Sequence, residues 1–265
     1  MIPAYNEAGR IRASLDRLVA WLSAPDRSPV GPAEILVVDD GSGDATAATV
    51  IEAARALPPG APVLRLLQNG VNRGKGYSIK HGILMATGTY VLLSDADFST
   101  PIEQLPTLLE PVAAGLCDIA IGSRGLATSE VEVRQPRWRV AMGRTFNHIV
   151  RLLTHLPYRD TQCGFKVMRR LPVLPLFRAA RVERFAYDVE ILYLARKARI
   201  AVREVPVRWR DAPGSKVHAL RDSLDMLRDV MRILWRDRRG GYGRLGRPAA
   251  AGPAAGGDGR GEPAP

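Results

Sequence analysis

Short apolar runs alternate with amphipathic segments through the first half of the chain. The β-branched run EILVVD at 34–39 precedes the polar turn DGSGD. The helical pattern ATAATVIEAARAL then follows, with Ser42 or Asp44 as its cap. A second unit consists of the strand VLRLL, the loop NGVNRGKG and a helix up to Gly88. TYVLLSDAD, PIEQLPTLLEPVAAG and DIAIGSR continue the rhythm as strand, helix and strand.

This alternation predicts an α/β fold in which a mixed, mostly parallel sheet is flanked by helices. In such a sheet the ligand site lies outside the carboxyl ends of the strands. The polar clusters DDGSGD, DADFST and GSR all fall at predicted strand ends. We therefore expect these three clusters to contribute to one site.

The two ends of this pattern are less regular. The segment MIPAYNE carries turn residues from Pro3 to Glu7 with no strand before them, which predicts a first strand that is missing or shortened. Downstream, FAYDVEILYLARKARI has the pattern of a helix, and AVREVPVRW that of a strand at the sheet edge.

Two basic amphipathic segments stand out in the second half. Between Arg134 and Arg159 there are six arginines and no acid, beside an apolar face at helical spacing. That pattern is typical of helices at a membrane interface, but an ordinary helix packed on a protein core also has it. The second segment, from His218 to Arg239, intersperses arginines with Leu220, Leu224, Leu227, Met231 and Leu234.

Length and composition narrow the setting. The chain has 265 residues, enough to bury a core without disulfides, and its two cysteines, Cys117 and Cys163, have no metal-ligand spacing. A reduced, cytoplasmic compartment is the simplest interpretation. No apolar run approaches the roughly 18–20 residues of a membrane-spanning helix. We expect a main domain over 1–216, a basic amphipathic helix over 217–239 and a disordered Gly/Pro/Ala-rich tail over 240–265.

The net charge of +11 indicates an anionic partner: nucleic acid, anionic lipid headgroups or a phosphorylated substrate. The chain lacks the exposed aromatic stacking motifs of nucleic-acid-binding proteins, so nucleic acid is not expected. An anionic membrane surface and a phosphorylated substrate remain.

Asp95 and Asp97 directly follow a predicted buried strand, so both carboxylates can turn toward one point. Paired carboxylates of this kind hold Mg²⁺ or Mn²⁺, with phosphate oxygens and waters completing the shell. A capped, solvated turn has the same pattern, since Ser99 and Thr100 precede Pro101 as a helix start. On its own the DAD sequence favours that plainer interpretation.

The segment NRGKG at 72–76 opens a predicted helix. Glycines there leave backbone amides open, and the basic side chains add charge, which favours phosphate. The segment is neither a Walker loop nor a dinucleotide fingerprint. A simple glycine-rich turn is the alternative.

Six motifs follow one another along the chain: IPAYNE at 2–7, VVDDGSGD at 37–44, NRGKGYSIKHG at 72–82, DAD at 95–97, GSR at 122–124 and DTQCGFK at 160–166. Taken together, they resemble those of family 2 glycosyltransferases in order and spacing. More narrowly, the chain resembles the polyprenyl-phosphate (dolichyl-phosphate) β-glucosyltransferases, in which DTQCGFK and a downstream FAYDVE also occur. The resemblance extends over about residues 2–212.

The resemblance implies a GT-A (Rossmann-like) fold, a nucleoside diphosphate sugar donor, a lipid phosphate acceptor and Mg²⁺ or Mn²⁺ as cofactor. By the family pattern, Lys75 lies near the base or pyrophosphate, and Asp95 and Asp97 hold the sugar and the metal. The nucleoside is held by Pro3, Tyr5, Glu7, Asp39 and Asp40.

Three residues are candidates for the chemistry itself: Asp97, Arg124 and Asp160. Arg124, at the end of a strand, is expected to face a phosphate. Asp160 occupies the position where related enzymes with hydroxyl acceptors carry their base. Because a phosphate monoester is already a nucleophile at neutral pH, we expect Asp160 to orient the sugar or the acceptor instead. Gln162 and Lys166 are expected to assist, and Cys163 to be a small buried residue.

The expected function is that of an inverting, metal-dependent transferase that moves a hexose, glucose from UDP-glucose, onto polyprenyl phosphate. It would act as a peripheral enzyme at the cytosolic face of a membrane. Within the same class, the alternative is a GDP-mannose-dependent polyprenyl-phosphate mannosyltransferase. From another class, it is a nucleotide-binding protein without turnover.

Overall fold

The computed structural model describes residues 1–25, 31–133, 137–210, 219–243 and 245. Of the predicted tail, everything except residues 240–243 and 245 lies outside this description, as do 134–136 and 218 of the two basic segments. Eight α-helices and nine strands lie within the described ranges.

The strands are β1 (Ile2–Ala4), β2 (Glu34–Asp39), β3 (Val63–Gln68), β4 (Tyr90–Leu93), β5 (Ile119–Ser123), β6 (Glu130–Val133), β7 (Lys166–Arg169), β8 (Val202–Pro206) and β9 (Arg208–Arg210). The helices are α1 (Ile11–Ser23), α2 (Thr46–Arg55), α3 (Lys75–Met85), α4 (Leu105–Ala113), α5 (Arg137–Thr154), α6 (Arg170–Ala179), α7 (Tyr187–Lys197) and α8 (Ala219–Arg238). A short 3₁₀ turn, Ile102–Gln104, precedes α4.

The central sheet consists of two hydrogen-bonded parts. Strands β1, β2 and β3 pair in parallel, and a second part has the order β4-β7-β5-β8. Within it, β7 runs antiparallel to both neighbours. Met1 joins the parts, since its nitrogen donates to the Leu92 carbonyl at 2.8 Å and its carbonyl accepts from the Ser94 amide at 3.1 Å. The predicted mixed, mostly parallel sheet flanked by helices is confirmed.

The first strand is short. It comprises three residues, pairs with β2 and brings Pro3 opposite Val38. Strand β2 is buried along nearly its whole length, as expected for a parallel strand covered on both faces.

Apolar side chains form a core on each face of the sheet. Helices α1, α2 and α4 cover one face, and α3, α5, α6, α7 and α8 cover the other. Phe146 and Val150 of α5 are buried in the second core together with Val230 and Ile233 of α8. For these residues of the first basic segment, the plainer interpretation of a helix packed on protein holds.

The predicted apolar face of α8 is only partly correct. The buried positions are Met226, Val230 and Ile233, whereas Leu224 is 60% exposed and Met231 is 52% exposed. The helix therefore has one apolar face on the core and a second one that the described residues leave open to solvent. None of the helices in the described ranges has the length and apolarity needed to cross a bilayer.

Candidate functional site

The DAD carboxylates lie at the carboxyl end of β4, at the centre of the sheet. Asp95 Oδ1 forms an ion pair with Lys75 Nζ at 2.5 Å, from the first turn of α3. Asp97 Oδ1 accepts a hydrogen bond from the Ser99 amide at 3.0 Å, which holds the turn after the strand. The structure thus brings together Lys75, Asp95 and Asp97 as the sequence predicts.

The charges around Asp95 favour its ionised form. Burial disfavours the charged form of Asp95, but the attraction of Lys75, and then of Lys166 and Arg124, outweighs it and lowers the Asp95 pKa. Burial likewise opposes the charge of Lys75, but Asp95, Asp188 and Asp97 together raise its pKa. Two acids surrounded by several cations suit a ligand that carries both phosphate and metal.

The residues present fit a hard divalent cation. Asp95 and Asp97 supply carboxylate oxygens, the donors that Mg²⁺ and Mn²⁺ prefer. The part of the chain that the structure describes contains no group of three or more His, Cys, Asp or Glu side chains placed to hold a metal. Two protein ligands would therefore leave the remaining positions to substrate oxygens and water.

The DTQCGFK segment packs directly on the DAD turn. A Cβ added at Gly164 would lie 2.1 Å from Asp95 Oδ2, so only glycine leaves room for that carboxylate. Cys163 beside it is buried, as predicted. The glycine of this motif thus shapes the site even though it has no side chain to contribute.

Asp160 is the binding partner of Arg124. Arg124 donates through Nε to Oδ2 at 2.6 Å and through a terminal nitrogen to Oδ1 at 3.0 Å, and its backbone amide adds a third bond. Although burial opposes the charge of Asp160, Arg124 outweighs it and lowers the Asp160 pKa to about 2. Such a carboxylate is a weak proton acceptor at neutral pH. Its geometry is that of a residue that positions Arg124.

Lys166 does not lie where a substrate-binding residue is expected. Its side chain is 2% exposed, and Nζ contacts Asp188 Oδ1 and the Cys163 carbonyl, each at 2.5 Å. Lys166 is thus paired with Asp188 inside the core, and its expected assisting role at the substrate stays a prediction. Gln162 also faces inward, toward the sulfur of Met226 on α8 at 3.0 Å.

The NRGKG loop is organised by Asp40. Its carboxylate accepts from the amides of Arg73 at 3.0 Å and Gly74 at 2.8 Å, and from the Asn69 side chain at 2.8 Å. The anion at this helix N-terminus is thus a carboxylate of the chain itself, so these two amides are not open to phosphate as the sequence suggested. Gly74, with φ of 106°, also lies where a Cβ would be 2.5 Å from the Glu183 carbonyl.

The other predicted donor-binding residues surround the same end of the sheet. Asp39 is buried and accepts from the Ser42 hydroxyl and amide. Pro3 lies in β1, and Tyr5 follows the strand with 40% of its surface exposed. Glu7 forms an ion pair with Arg10. Pro3 and Asp39 thus lie in β1 and β2 themselves, whereas Tyr5 and Glu7 lie in the segment that follows β1.

Two charged residues that the sequence did not single out belong to this region. Burial opposes the charge of Arg10, but Glu7 and then Asp97 and Asp95 raise its pKa, which places its guanidinium in the field of the DAD turn. Asp188 pairs with Lys166 and acts electrostatically on Lys75. The FAYDVE motif signalled Asp188, whereas no pattern signalled Arg10.

A family comparison decides what kind of protein has this site. Residues 1–174 match the family described as Glycosyl transferase family 2. The chain belongs to glycosyltransferase family 2. The predicted family, enzyme class and GT-A fold are confirmed.

Relatives within this glycosyltransferase family narrow the resemblance. The chain is 35% identical over 241 residues to the dolichyl-phosphate beta-glucosyltransferase of Dictyostelium discoideum, covering 89% of this chain and 73% of that protein. It is 36% identical over 239 residues to the enzyme of that name from Drosophila melanogaster, with 88% and 73% covered. For the Homo sapiens enzyme the identity is 32% over 252 residues, with 91% and 76% covered.

Solved structures show the same fold. Glucosyl-3-phosphoglycerate synthase from Mycobacterium tuberculosis is similar with a TM-score of 0.63 and 19% identity, covering 90% of this chain and 79% of that one. A structure of that synthase with Mn²⁺, UDP-glucose and phosphoglyceric acid has a TM-score of 0.60, also at 19% identity, with 90% and 78% covered. At this identity the likeness concerns the fold of the family 2 enzyme alone.

Proposed function

We propose that this glycosyltransferase moves glucose from UDP-glucose onto a polyprenyl phosphate such as dolichyl phosphate, with inversion at the anomeric carbon. The resemblance to dolichyl-phosphate beta-glucosyltransferases supports this acceptor and sugar. A synthase of the same fold crystallised with Mn²⁺ and UDP-glucose supports the donor and the cation.

The observation that carries the proposal is the Arg124–Asp160 pair. A hydroxyl acceptor needs a base to remove its proton, whereas a phosphate monoester is already anionic at neutral pH. Asp160, with a pKa of about 2 and both oxygens held by Arg124, is poorly suited to be that base. A site that neutralises this carboxylate suits an acceptor that brings its own negative nucleophile.

The roles of the side chains follow from this arrangement. Asp95 and Asp97 would hold a divalent cation, which supplies positive charge to the departing diphosphate. Lys75, paired with Asp95, is placed to add charge to the same phosphates. The Arg124 side chain is 32% exposed and is anchored by Asp160, so we propose that its guanidinium binds the acceptor phosphate.

The donor-side assignments of Pro3, Tyr5, Glu7, Asp39 and Asp40 remain predictions. Because Asp39 and Asp40 already accept several hydrogen bonds from their own loops, we propose that they shape the nucleoside pocket as much as they contact it. The alternative of a nucleotide-binding protein without turnover is less favoured, since the carboxylate pair and its surrounding cations are intact.

The test is transfer of radiolabel to polyprenyl phosphate in detergent with Mg²⁺ or Mn²⁺. UDP-glucose and GDP-mannose are supplied in parallel to wild type and Asp97→Asn. Lipid-linked label from UDP-glucose that is lost in the variant supports the proposal. Label from GDP-mannose alone would make the chain a mannosyltransferase, and label from neither would overturn the proposed donor and acceptor together.

The proposed acceptor also explains why this enzyme would act at a membrane surface. A polyprenyl chain remains in the bilayer, so the enzyme must reach a membrane surface, which we propose to be the cytosolic face. The excess of basic residues favours anionic lipid at that surface.

A further inference from the structure

A groove of about 420 Å³ lies between residues 181–184 and one side of α8. It is separate from the DAD site, and none of the roles above uses it. Charged side chains dominate its lining, which comprises five arginines and three acids: Arg181, Arg184, Arg228, Arg232, Arg236, Glu183, Asp225 and Asp229.

The acids of the groove are already paired. Glu183 binds Arg73 at 2.7 Å, Asp225 binds Arg228 at 3.0 Å and Asp229 binds Arg232 at 2.9 Å. Within the described residues, neither Arg181 nor Arg184 has a carboxylate at ion-pair distance. The groove therefore presents unneutralised guanidinium groups.

Arg236 adds a further donor at the base of the groove. Its terminal nitrogen Nη1 is buried and has no hydrogen-bond partner within the described residues. The carboxylate of Glu190 lies 3.7 Å from it but is already taken by the amides of Arg181 and Val182 and by the Tyr242 hydroxyl. A buried donor left in this state is unfavourable, and the guanidinium of Arg236 adds its positive charge to the groove.

The open apolar face of α8 borders the arginines. Leu224, Met231 and Trp235 are 60%, 52% and 56% exposed, and they recur at intervals of seven and four residues on one side of the helix. Arg228 and Arg232 lie next to this stripe by helical spacing. A soluble anion would leave the apolar stripe exposed to water. A lipid has both a phosphate group and acyl chains, whose boundary the stripe can enter.

The groove also lies close to the NRGKG loop, which carries Lys75. The Glu183 carbonyl accepts from the Tyr77 amide at 3.0 Å, and Gly76 packs against the carbonyls of Val182 and Arg184. A headgroup in the groove would therefore lie directly behind the turn that carries Lys75.

We propose that the groove binds the phosphate headgroup of an anionic membrane lipid, with Leu224, Met231 and Trp235 entering the boundary of the acyl chains. Arginine suits this role because its planar fork binds phosphate oxygens in pairs. The biological reason rests on the proposed lipid acceptor, but the structural evidence for the groove does not. The groove seats the enzyme on the membrane beside its acceptor.

The test is flotation with phosphatidylcholine vesicles containing 30% phosphatidylglycerol, without sugar nucleotide. The full chain is compared with the double variant Arg181→Gln/Arg184→Gln, called the groove pair, in which two exposed arginines are replaced. The control, Arg12→Gln/Arg55→Gln, removes the same charge from α1 and α2 on the opposite face of the sheet. Because each basic residue near an anionic surface contributes on the order of 1 kcal/mol, we expect about thirtyfold weaker binding for the groove pair.

Trp235 provides a second readout. Subtracting the tryptophan fluorescence spectrum of Trp235→Phe from that of wild type gives the emission of Trp235. This emission should shift to the blue when anionic vesicles are added. An equal loss of binding in the groove pair and the control would show diffuse charge attraction and overturn the proposal. Unchanged vesicle binding by the groove pair would overturn the proposal as well. So would stabilisation of the protein by inorganic phosphate without any binding to vesicles. Since no donor is present, these outcomes are independent of whether the proposed transfer occurs.

Discussion

Gly164 lies so close to the Asp95 carboxylate that its missing side chain is a structural requirement of the site. An added methyl group would meet Oδ2 at 2.1 Å. The Asp95 carboxylate would have to shift, and its contact with Lys75 would change with it.

We predict that Gly164→Ala lowers kcat for lipid-linked transfer by about 100-fold, since small displacements of reacting groups have effects of that size. Steady-state kinetics in detergent measure this. Gly143→Ala is the matched control, because a Cβ there meets nothing within 4 Å and alanine favours the helix. Similar kcat values for the two variants would show that Asp95 does not depend on this contact.

The Arg124–Asp160 pair should make the free energy of unfolding depend on pH in the acidic range. The folded-state pKa of Asp160 is about 2, below the ordinary value of 3.8. The stabilisation is therefore complete above about pH 5 and is lost as the pH falls toward 2, an effect on the order of 2 kcal/mol. In urea denaturation the difference between wild type and Asp160→Asn should shrink over that range. A difference that stays constant from pH 6 to pH 2.5 would contradict the assigned pKa.

The same pair should behave as a unit in catalysis. If Asp160 acts by positioning Arg124, then Asp160→Asn, Arg124→Gln and the double variant should lose similar amounts of kcat/KM. The pH profile of Asp160→Asn should keep the shape of the wild-type profile. Losses that multiply in the double variant, or an acidic limb that disappears with Asp160, would instead indicate an independent proton-transfer role.

Lys75 and a divalent cation should compete for Asp95. The ammonium lies 2.5 Å from Asp95 Oδ1, where it repels a second cation. Lys75→Gln should therefore bind Mn²⁺ about tenfold more tightly without donor, since a charge a few ångströms away is worth on the order of 1–4 kcal/mol. Calorimetry measures the affinity. Lys197→Gln, which removes a lysine paired with Asp237 elsewhere, should leave it unchanged.

Replacing only one member of the buried Lys166–Asp188 pair should destabilise the fold. Asp188→Asn leaves the Lys166 ammonium without a counter-charge in the core, which we expect to destabilise the fold by about 3–5 kcal/mol. Lys166→Met together with Asp188→Asn should be closer to wild type. Chemical denaturation of the three proteins tests this, and a double variant weaker than Asp188→Asn would contradict it.

The sequence predicted the outline of the fold better than its centre. Periodicity identified β2, α2, α3, β4 and β5, because each has an apolar run or stripe of ordinary length. Helix α1 and strand β7 are absent from the predicted elements. Strand β7 is four residues long and begins with Lys166, whose burial depends on Asp188, a partner 22 positions away. No local pattern contains that information.

The site shows the same limit. Motifs located Asp40, Asp95 and Arg124 at strand ends and Lys75 at the start of a helix, where the structure places them. Tertiary packing decides which partner each of these side chains binds. Asp40 therefore holds the NRGKG amides instead of leaving them to phosphate, and α8 buries Met226 and Val230 while Leu224 stays exposed.

The place of β7 between β4 and β5 has a consequence for how the enzyme is made. As the chain leaves the ribosome, β4 and β5 emerge well before the strand that joins them, so the sheet has a gap until residues 166–169 arrive. The residues just before this strand include Gly164 and Asp160. The candidate site is therefore completed by a pairing of long sequence separation, which is slow to form and leaves strand edges exposed during synthesis.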